Sequence, residues 1–500
     1  MMKQFFFTIY LLAFAINGMA AKIDSTAMIE HHSLWNNLLN ADNNPVLKSW
    51  QYKSNLSCIY ATLDYKHANK ALITEMGNEH SFYDVTANSY QHLSPTTTIW
   101  GGASYRNGTK NNIKFCSTAD YQLLTPYVLA DSMGGNLNNE RYMFHGGISH
   151  TSGNFTWGAS INFRAEHEYR TTDPRPRSIV TDLSTIVSAA YRFNDYRGAL
   201  AAGVRFYKQT NTVKFFREEG VIPEYHMTGL GSDYVRFSGN NNSTYYKATG
   251  LISNIAIEPY SSKGFFLQAA YNYTPFRKIL PDLNALPFAT LFLTQAQAKV
   301  GYKHNGELSW AAYVATDLEQ RLGDEHISGS SSGTEYRTLI DLTMYHSHLR
   351  NHYATGLLQI TPSHLTFQLT GGYIDYDSKY EDPRRAMDFS KAYGELQIQW
   401  AHHTSHNSLL VCNIGASYYD NLKSNMVMPY MYMDEARTQL VNDNYESAQN
   451  NYLHLSTSVL FSAMPQSWKG YGYFLQLSSS HTSNSNYNDY SLNLSLGITL

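Results

Sequence analysis

The chain has 500 residues and a net charge of −3, so its charge gives no reason to expect a nucleic-acid partner. Charged residues make up only 15% of the sequence, which is sparse for a soluble surface. Tyrosine is abundant, with 40 copies, and it is favoured where a ring is apolar at one end and hydrated at the other.

The first residues have the layout of a secretory signal. Lys3 supplies a positive start, Phe5 to Ile16 form an apolar run, and small residues follow at Gly18 and Ala20. The apolar run is too short to span a bilayer. We therefore predict a cleaved signal peptide over residues 1–20. After this signal, the sequence has no stretch of about eighteen apolar residues, so it predicts no membrane-spanning helix.

The segment after the signal differs from the rest of the chain. In "SLWNNLLNADNNPVLKSW", Leu34, Trp35, Leu38 and Leu39 are apolar at helical spacing, and the helix breaker "NNP" follows at 43–45. This pattern predicts that residues 21–52 form a short helix or plug-like segment, with a periplasmic tail as the alternative.

From residue 53 onward, long stretches alternate between apolar and polar residues. In "GNFTWGASINFRAEHEYR", Phe155 to Tyr169 place aromatic and aliphatic side chains on one face and polar ones on the other. Ordinary strands have about five or six residues, and this alternation runs much further. The last residues, "NYNDYSLNLSLGITL", alternate in the same way, with Leu492, Leu494 and Leu496 on one face. Such strands are typical of a barrel whose outer face touches lipid.

The breaks between strands alternate in length. Short breaks lie at 150–154, 194–198, 259–264, 303–306, 361–364, 404–407 and 465–470. Longer polar breaks separate them. Short periplasmic turns and longer outer loops are typical of outer-membrane barrels. The sequence therefore predicts an all-β fold: a transmembrane up-and-down antiparallel β-barrel over residues 53–500, with about sixteen strands (fourteen to eighteen). The count depends on a further hairpin near Pro95, and on whether 334–361 is one strand or two.

The signal peptide, "SLWNNLLNADNNPVL", the long strands and the closing "YSLNLSLGITL" together resemble an uncharacterised outer-membrane barrel family of the Bacteroidota, a domain of unknown function. The resemblance implies the fold and an outer-membrane location, and it carries no site residues. "NNPVL" (43–47) is also similar to the Asn-Pro-Ala stretch of long-chain fatty-acid-transporter-like barrels, whose N-terminal segment sits inside the barrel. One departure is the final residue, Leu500, where many outer-membrane proteins end in Phe or Trp.

Polar side chains on the inner face of the predicted strands are the candidate site residues. They mix both signs of charge with amides and are candidates to line the lumen, where such charges would orient polar solutes. A network that only fills the lumen is the alternative. The candidates are Arg164, Glu166, Glu168, Arg170, Gln397, Gln399 and Asn493.

The sequence lacks a complete catalytic or metal motif. His346 and His348 share one strand face, but Ser347 points to the other face and no carboxylate completes a triad. The sequence contains neither a Gly-x-Ser-x-Gly elbow nor a phosphate loop. Three cysteines, Cys58, Cys116 and Cys412, do not form a disulfide framework. We predict a protein that is not an enzyme and has no catalytic, cofactor or metal residues.

The expected function is a channel or transporter for small or hydrophobic solutes. A barrel enzyme acting on lipid or peptide, and a structural or surface-assembly component, are the alternatives. The expected partners are outer-membrane lipid and, during biogenesis, the barrel-assembly machinery, with no nucleic acid.

Overall fold

The computed structural model describes residues 25–216, 224–234, 243–332, 335–405, 408–429, 433–468 and 470–500. The predicted signal peptide, residues 1–20, lies outside these residues. Three short helices precede the first strand: α1 (Ser25–His31), a 3-10 helix (Leu34–Leu38) and α2 (Pro45–Gln51). Later in the described residues come two more α-helices, α3 (Tyr121–Leu124) and α4 (Glu435–Gln449), and several single-turn 3-10 helices. No helix in the described ranges is long and apolar enough to cross a membrane.

The strands fall into two groups. Those of the barrel are β1 (Leu56–Ala68), β2 (Glu79–Ser94), β3 (Thr97–Ile113), β5 (Gly135–Ser152), β6 (Phe155–Tyr169), β7 (Arg175–Phe193), β8 (Tyr196–Lys214), β11 (Ser243–Pro259), β12 (Lys263–Leu280), β13 (Leu286–His304), β14 (Leu308–Ser332), β15 (Glu335–Ile360), β16 (Leu365–Tyr380), β17 (Arg385–Ser405), β18 (Ser408–Val427), β19 (Tyr452–Ala463), β20 (Gly472–Ser483) and β21 (Asn488–Thr499). A separate small sheet contains β4 (Leu129–Asp131), β9 (Glu224–Gly229) and β10 (Ser232–Asp233).

The barrel is an antiparallel meander that closes on itself. Across the described residues it contains eighteen strands, and β1 pairs with β21 in the register Cys58↔Thr499. Closure pairs every strand on both sides, so no sheet edge faces lipid. The predicted barrel is confirmed. Its count stands at the upper end of the expected range because the hairpin near Pro95 exists as β2 and β3. Residues 335–360 form one strand, β15.

Apolar side chains cover the outer face of the barrel. On β21, Leu492, Leu494, Leu496 and Ile498 are exposed, while Ser495 and Thr499, which point to the other face, are buried. Leu496 keeps 61% of its surface exposed, which would be costly in water and is favourable against acyl chains. A closed barrel with this belt is an outer-membrane protein, and the apolar outer face of its last strand is what contact with lipid requires.

Aromatic residues near the strand ends lie on both faces of the barrel. Trp310, Trp400, Tyr418 and Trp468 are exposed on the outside, as a membrane girdle requires. Tyr207 is instead fully buried, and Tyr376 lines an internal cavity. Aromatic residues near strand ends therefore belong to the inner face as well as to the outer one.

Candidate functional site

The N-terminal segment, defined as residues 25–55, contacts inward-facing side chains around the barrel. Asn44 caps α2, accepting hydrogen bonds from the amides of Val46 and Leu47. Its side-chain nitrogen donates to Oδ1 of Asn254 on β11 at 2.9 Å. On β7, Oγ of Ser188 accepts from the amide of Val46 at 3.0 Å. Helix α2 is thereby bonded to two separate parts of the wall, in the half of the barrel that carries the short turns.

The first half of this segment is held by Gln399, one of the predicted site residues. The amide of Leu34 donates to Oε1 of Gln399 at 3.1 Å, and Nε2 of Gln399 donates to the carbonyl of His32 at 2.7 Å. On β13, Nζ of Lys299 donates to the carbonyl of Leu38 at 2.7 Å. Gln399 therefore anchors the N-terminal segment.

A second insert enters from the long-loop side. The inner loop, defined as residues 114–134 between β3 and β5, contains α3 and β4. Wall side chains donate to its carbonyls: Arg321 to Thr125 at 2.9 Å, Lys278 to Val128 at 3.2 Å and Tyr246 to Tyr127 at 2.8 Å. Its apolar side chains join the main buried cluster, together with residues of β7 to β13. The inner loop is consequently fixed against the wall.

Arg164, another predicted site residue, binds this inner loop. Its two terminal nitrogens donate to the carboxylate of Asp120 at 2.8 and 2.5 Å, and one also donates to Glu166 at 2.7 Å. Tyr207 donates to the same Asp120 carboxylate at 2.9 Å. Burial alone would raise the pKa of Asp120, but the bonds and charge of Arg164 outweigh it and hold the pKa below its ordinary value. Asp120 and Arg164 therefore form a charged pair that holds the loop in place.

Glu168 and Arg170 lie behind the inner loop. Glu168 is buried and paired with Lys110. Arg170 pairs with Asp131 at 2.6 Å, and both side chains are almost completely buried. These side chains point inward, as the alternation indicates, but loop residues cover them.

The last two predicted site residues border internal cavities. Gln397 lines one of them. Asn493 lines a cavity of 600 Å³ that also touches His31 and Lys48 of the N-terminal segment. The side-chain oxygen of Asn493 accepts a hydrogen bond from Oγ of Ser495 at 3.3 Å.

The cavity that Gln397 lines, named the outer cavity, has a volume of 1290 Å³. One side is apolar and comes from the inner loop, β9 and α4, including Phe115, Leu123, Val128, Met227 and Leu440. The other side is the wall of β13 to β20, which supplies tyrosines and polar groups, including Tyr376, Tyr419, Tyr452, Glu395 and His454. An apolar cavity with a few convergent polar groups is the usual form of a small-molecule site.

A smaller cavity leads from the outer cavity toward the N-terminal segment. It has a volume of 350 Å³, and Asn40 and Asn43 of that segment border it. Gln295, Glu319 and Leu349 line both cavities, so the two adjoin. Another cavity, of 1430 Å³, opens among the short turns and is lined by Trp35, Leu38 and Leu39 from the same segment. The N-terminal segment thus lies between the outer cavity and the short-turn mouth.

Reasoning from the sequence missed the inner loop. The signal lay in Tyr121 to Ala130, where a connection between two strands is apolar although loops over the surface are usually polar. An apolar connection in a barrel indicates that it folds inward. The inward tyrosines of β17 to β19 were also missed, because they lie close to outward-facing aromatics in the sequence.

The histidines considered for catalysis point outward. His348 pairs with Asp377 at 2.9 Å and His346 with Glu381 at 3.4 Å, while Ser347 is buried on the opposite face. Within the ranges that the structure describes, no group of three or more His, Cys, Asp or Glu could hold a metal ion.

Comparison with known proteins identifies a family without an assigned activity. Residues 45–500 match the model of a family described as a family of unknown function (DUF6850). Among curated proteins no match was found.

Several solved structures are similar to this chain at low identity. A siderophore receptor, PiuA, from Acinetobacter baumannii is 7% identical with a TM-score of 0.40, covering 90% of this chain and 82% of the receptor. The outer membrane transporter YddB from Escherichia coli is 9% identical with a TM-score of 0.39, covering 88% and 80%. A mutant ferric enterobactin receptor, PfeA, from Pseudomonas aeruginosa is 7% identical with a TM-score of 0.37, covering 89% and 80%. At these TM-scores, none of the three supports a shared solute.

Proposed function

This chain belongs to the DUF6850 family of unknown function, and we propose that it is an outer-membrane channel or transporter for small or hydrophobic solutes whose lumen is closed at rest by its N-terminal segment. A Bacteroidota source, which the sequence resemblance implies, is part of this proposal. So are contact with the barrel-assembly machinery during biogenesis and the role of the candidate lumen residues in passage.

One observation carries the proposal. The outer cavity adjoins a smaller cavity whose border is Asn40 and Asn43, and the short-turn mouth begins on the other side of the same segment. Movement of the N-terminal segment would therefore join the cavities along the barrel axis. The segment is held by hydrogen bonds to side chains such as Gln399 and Asn254, and these exchange readily with water.

Gly158 on β6 allows the closed arrangement to be tested in both directions. A Cβ at this position would lie 2.9 Å from Cβ of Pro45, closer than unstrained atoms approach. Gly158→Val should push α2 away from the wall and increase passage. Gly158→Cys with Pro45→Cys should lock α2 in place once oxidised, because a shift of α2 by about 1 Å brings the two Cβ atoms to the separation of about 3.5–4.5 Å found in disulfides. The native Cys58, Cys116 and Cys412 are free and would first be replaced by alanine.

The measurement is conductance in planar bilayers together with swelling of liposomes in small neutral solutes. We expect passage to increase with Gly158→Val, to be blocked in the oxidised double-cysteine protein, and to return on reduction. Each single-cysteine protein is the matched control for oxidation, which should leave its passage unchanged, while Gly158→Cys alone should raise passage above the cysteine-free parent because it adds the same Cβ as Gly158→Val. The proposal is overturned if none of these proteins passes current or solute, or if oxidation of the double-cysteine protein changes nothing.

An enzyme acting on lipid or peptide is the second candidate from the sequence. Because His346 and His348 already pair with carboxylates on the outward face, away from the buried Ser347, no observation favours it. A hydrolytic activity lost in His346→Ala or His348→Ala would restore that candidate.

A further inference from the structure

A row of tyrosines crosses the inner wall beside the outer cavity. Tyr393, Tyr419 and Tyr452 lie on β17, β18 and β19 and are direct cross-strand neighbours. The rings of Tyr393 and Tyr419 are stacked, with centroids 5.2 Å apart and planes 19° apart. All three residues are half-buried, so each keeps surface that no other protein atom covers.

The row continues toward the N-terminal segment. The ring of Tyr393 lies over Gly372 of β16, where a Cβ would meet it at 2.5 Å, and Gly372 pairs with Tyr353 of β15. Tyr353 contacts Tyr313 of β14 edge-on at 6.4 Å. Tyr313 packs against the cluster that contains Leu38 of the N-terminal segment. The tyrosine row, defined as Tyr313, Tyr353, Tyr393, Tyr419 and Tyr452, therefore connects the outer cavity with the segment that closes the lumen.

A row of polar side chains runs parallel to it. Two residues along each strand from the tyrosines of β17, β18 and β19, the inner face carries Glu395, Ser417 and His454, which are themselves cross-strand neighbours. Tyr419 donates to Oε1 of Glu395 at 2.6 Å. Ring faces and hydrogen-bonding groups thus lie side by side along the same wall.

This pairing of rows decides between two kinds of solute. An acyl chain could lie on the rings, but it would cover the polar row without giving it partners, which is costly for carboxylate and imidazole groups. A sugar ring has an apolar C–H face for the tyrosines and hydroxyls at its edge for the polar row.

We infer that the inner wall of β17 to β19 is a binding site for the sugar rings of a neutral oligosaccharide. The inference rests on the proposed function and narrows its solute from small or hydrophobic to carbohydrate. Units of the oligosaccharide stack on Tyr393, Tyr419 and Tyr452, and their hydroxyls bond to Glu395 and its neighbours. Tyr353 and Tyr313 continue the path toward the N-terminal segment.

The test uses the whole barrel in an amine-oxide detergent, which carries no sugar headgroup. Maltohexaose, cellohexaose and xylohexaose are titrated by calorimetry, and oleate is titrated as the apolar competitor. We expect at least one hexasaccharide to bind, Tyr419→Ala to weaken it by about tenfold and Tyr419→Phe to keep affinity within about twofold, because the ring supplies the stacking face. Tyr60→Ala is the matched control, since Tyr60 is a half-buried inner-face tyrosine on another part of the wall.

Each outcome decides the inference once heat-modifiable migration shows that the variants are folded. Binding of a hexasaccharide that Tyr419→Ala weakens and Tyr60→Ala does not supports it. Binding of none of the three sugars, equal effects of the two alanine variants, or oleate binding that Tyr419→Ala weakens in place of sugar binding overturns it. In those cases the conductance of Gly158→Val and of the double-cysteine protein still tests the proposed transport function. The carbohydrate inference can therefore fail while the transport proposal stands.

Discussion

The side-chain nitrogen of Asn44 donates to Oδ1 of Asn254 at 2.9 Å while the other end of the same amide caps α2. One side chain therefore both starts the helix and bonds it to the wall. Asn44→Ala removes both roles. Loss of an N-cap costs about 1 kcal/mol, which corresponds to about a fivefold shift toward the displaced segment. Conductance in planar bilayers should rise accordingly.

Asn43→Ala is the control for this change. Asn43 borders the small cavity and does not cap α2, so its replacement should change conductance little. An equal rise in conductance for Asn43→Ala and Asn44→Ala would contradict the role assigned to Asn44.

Acid should loosen the N-terminal segment through His31. The His31 ring is stacked on Tyr52 at 3.9 Å, and its Nε2 bonds to the carbonyl of Ser54 at 2.9 Å. Burial outweighs this bond and lowers the pKa of His31 from 6.5 to about 4. Because the closed arrangement keeps the ring neutral, it should lose stability as the pH falls below 6.5, with the loss complete near pH 4.

Conductance measured from pH 7 to pH 4 checks this expectation. His31→Gln keeps a donor for Ser54 and cannot be protonated, so it should flatten the rise. Part of the rise should remain, because burial also lowers the pKa of His32. His402→Gln changes an exposed histidine on β17 and should leave the profile unchanged. A conductance that falls with acid would contradict the assignment of a neutral His31 to the closed arrangement.

The inner loop should depend on the Asp120–Arg164 pair. Asp120→Asn removes the charge from two short hydrogen bonds, and bonds to charged groups are worth about 1.5–3 kcal/mol. Protease cleavage and hydrogen exchange within 114–134 should increase. In the native protein the same loosening should occur as the pH falls below the ordinary aspartate pKa of about 3.9, because the pKa of Asp120 is held low in the folded state.

A surface pair provides the comparison for that change. Lys423 and Asp388 are 3.4 Å apart, and Lys423 is largely exposed. Lys423→Gln should therefore cost less than about 1 kcal/mol and leave the inner loop protected. If residues 114–134 are protected from cleavage and exchange equally well in both variants, the Asp120–Arg164 pair is not what holds the loop.

The barrel could be predicted from the sequence because strand alternation is a local property. A period of two places Arg164 inward and Leu494 outward whatever the rest of the chain does. The partner of Arg164 could not be predicted in this way. Asp120 lies 44 residues away in the sequence, and only the path of the inner loop brings it to Arg164. The N-terminal segment shows the same limit, because "NNP" ends one predicted helix but in the structure begins α2 with Asn44 as its cap.

Neighbouring positions on β21 test the membrane assignment most directly. Leu494 is exposed on the outer face and Asn493 lies on the inner face beside a cavity. Leu494→Lys would place a charge against acyl chains, at a cost of about 2–4 kcal/mol near the bilayer midplane. Asn493→Lys puts the same charge in a polar lumen, so it should cost far less. Heat-modifiable migration and the yield of folded protein in outer membranes should fall for the first variant only. The reverse order would place the apolar face of this strand against protein or water, and the lipid contact inferred for the closing strand would then be wrong.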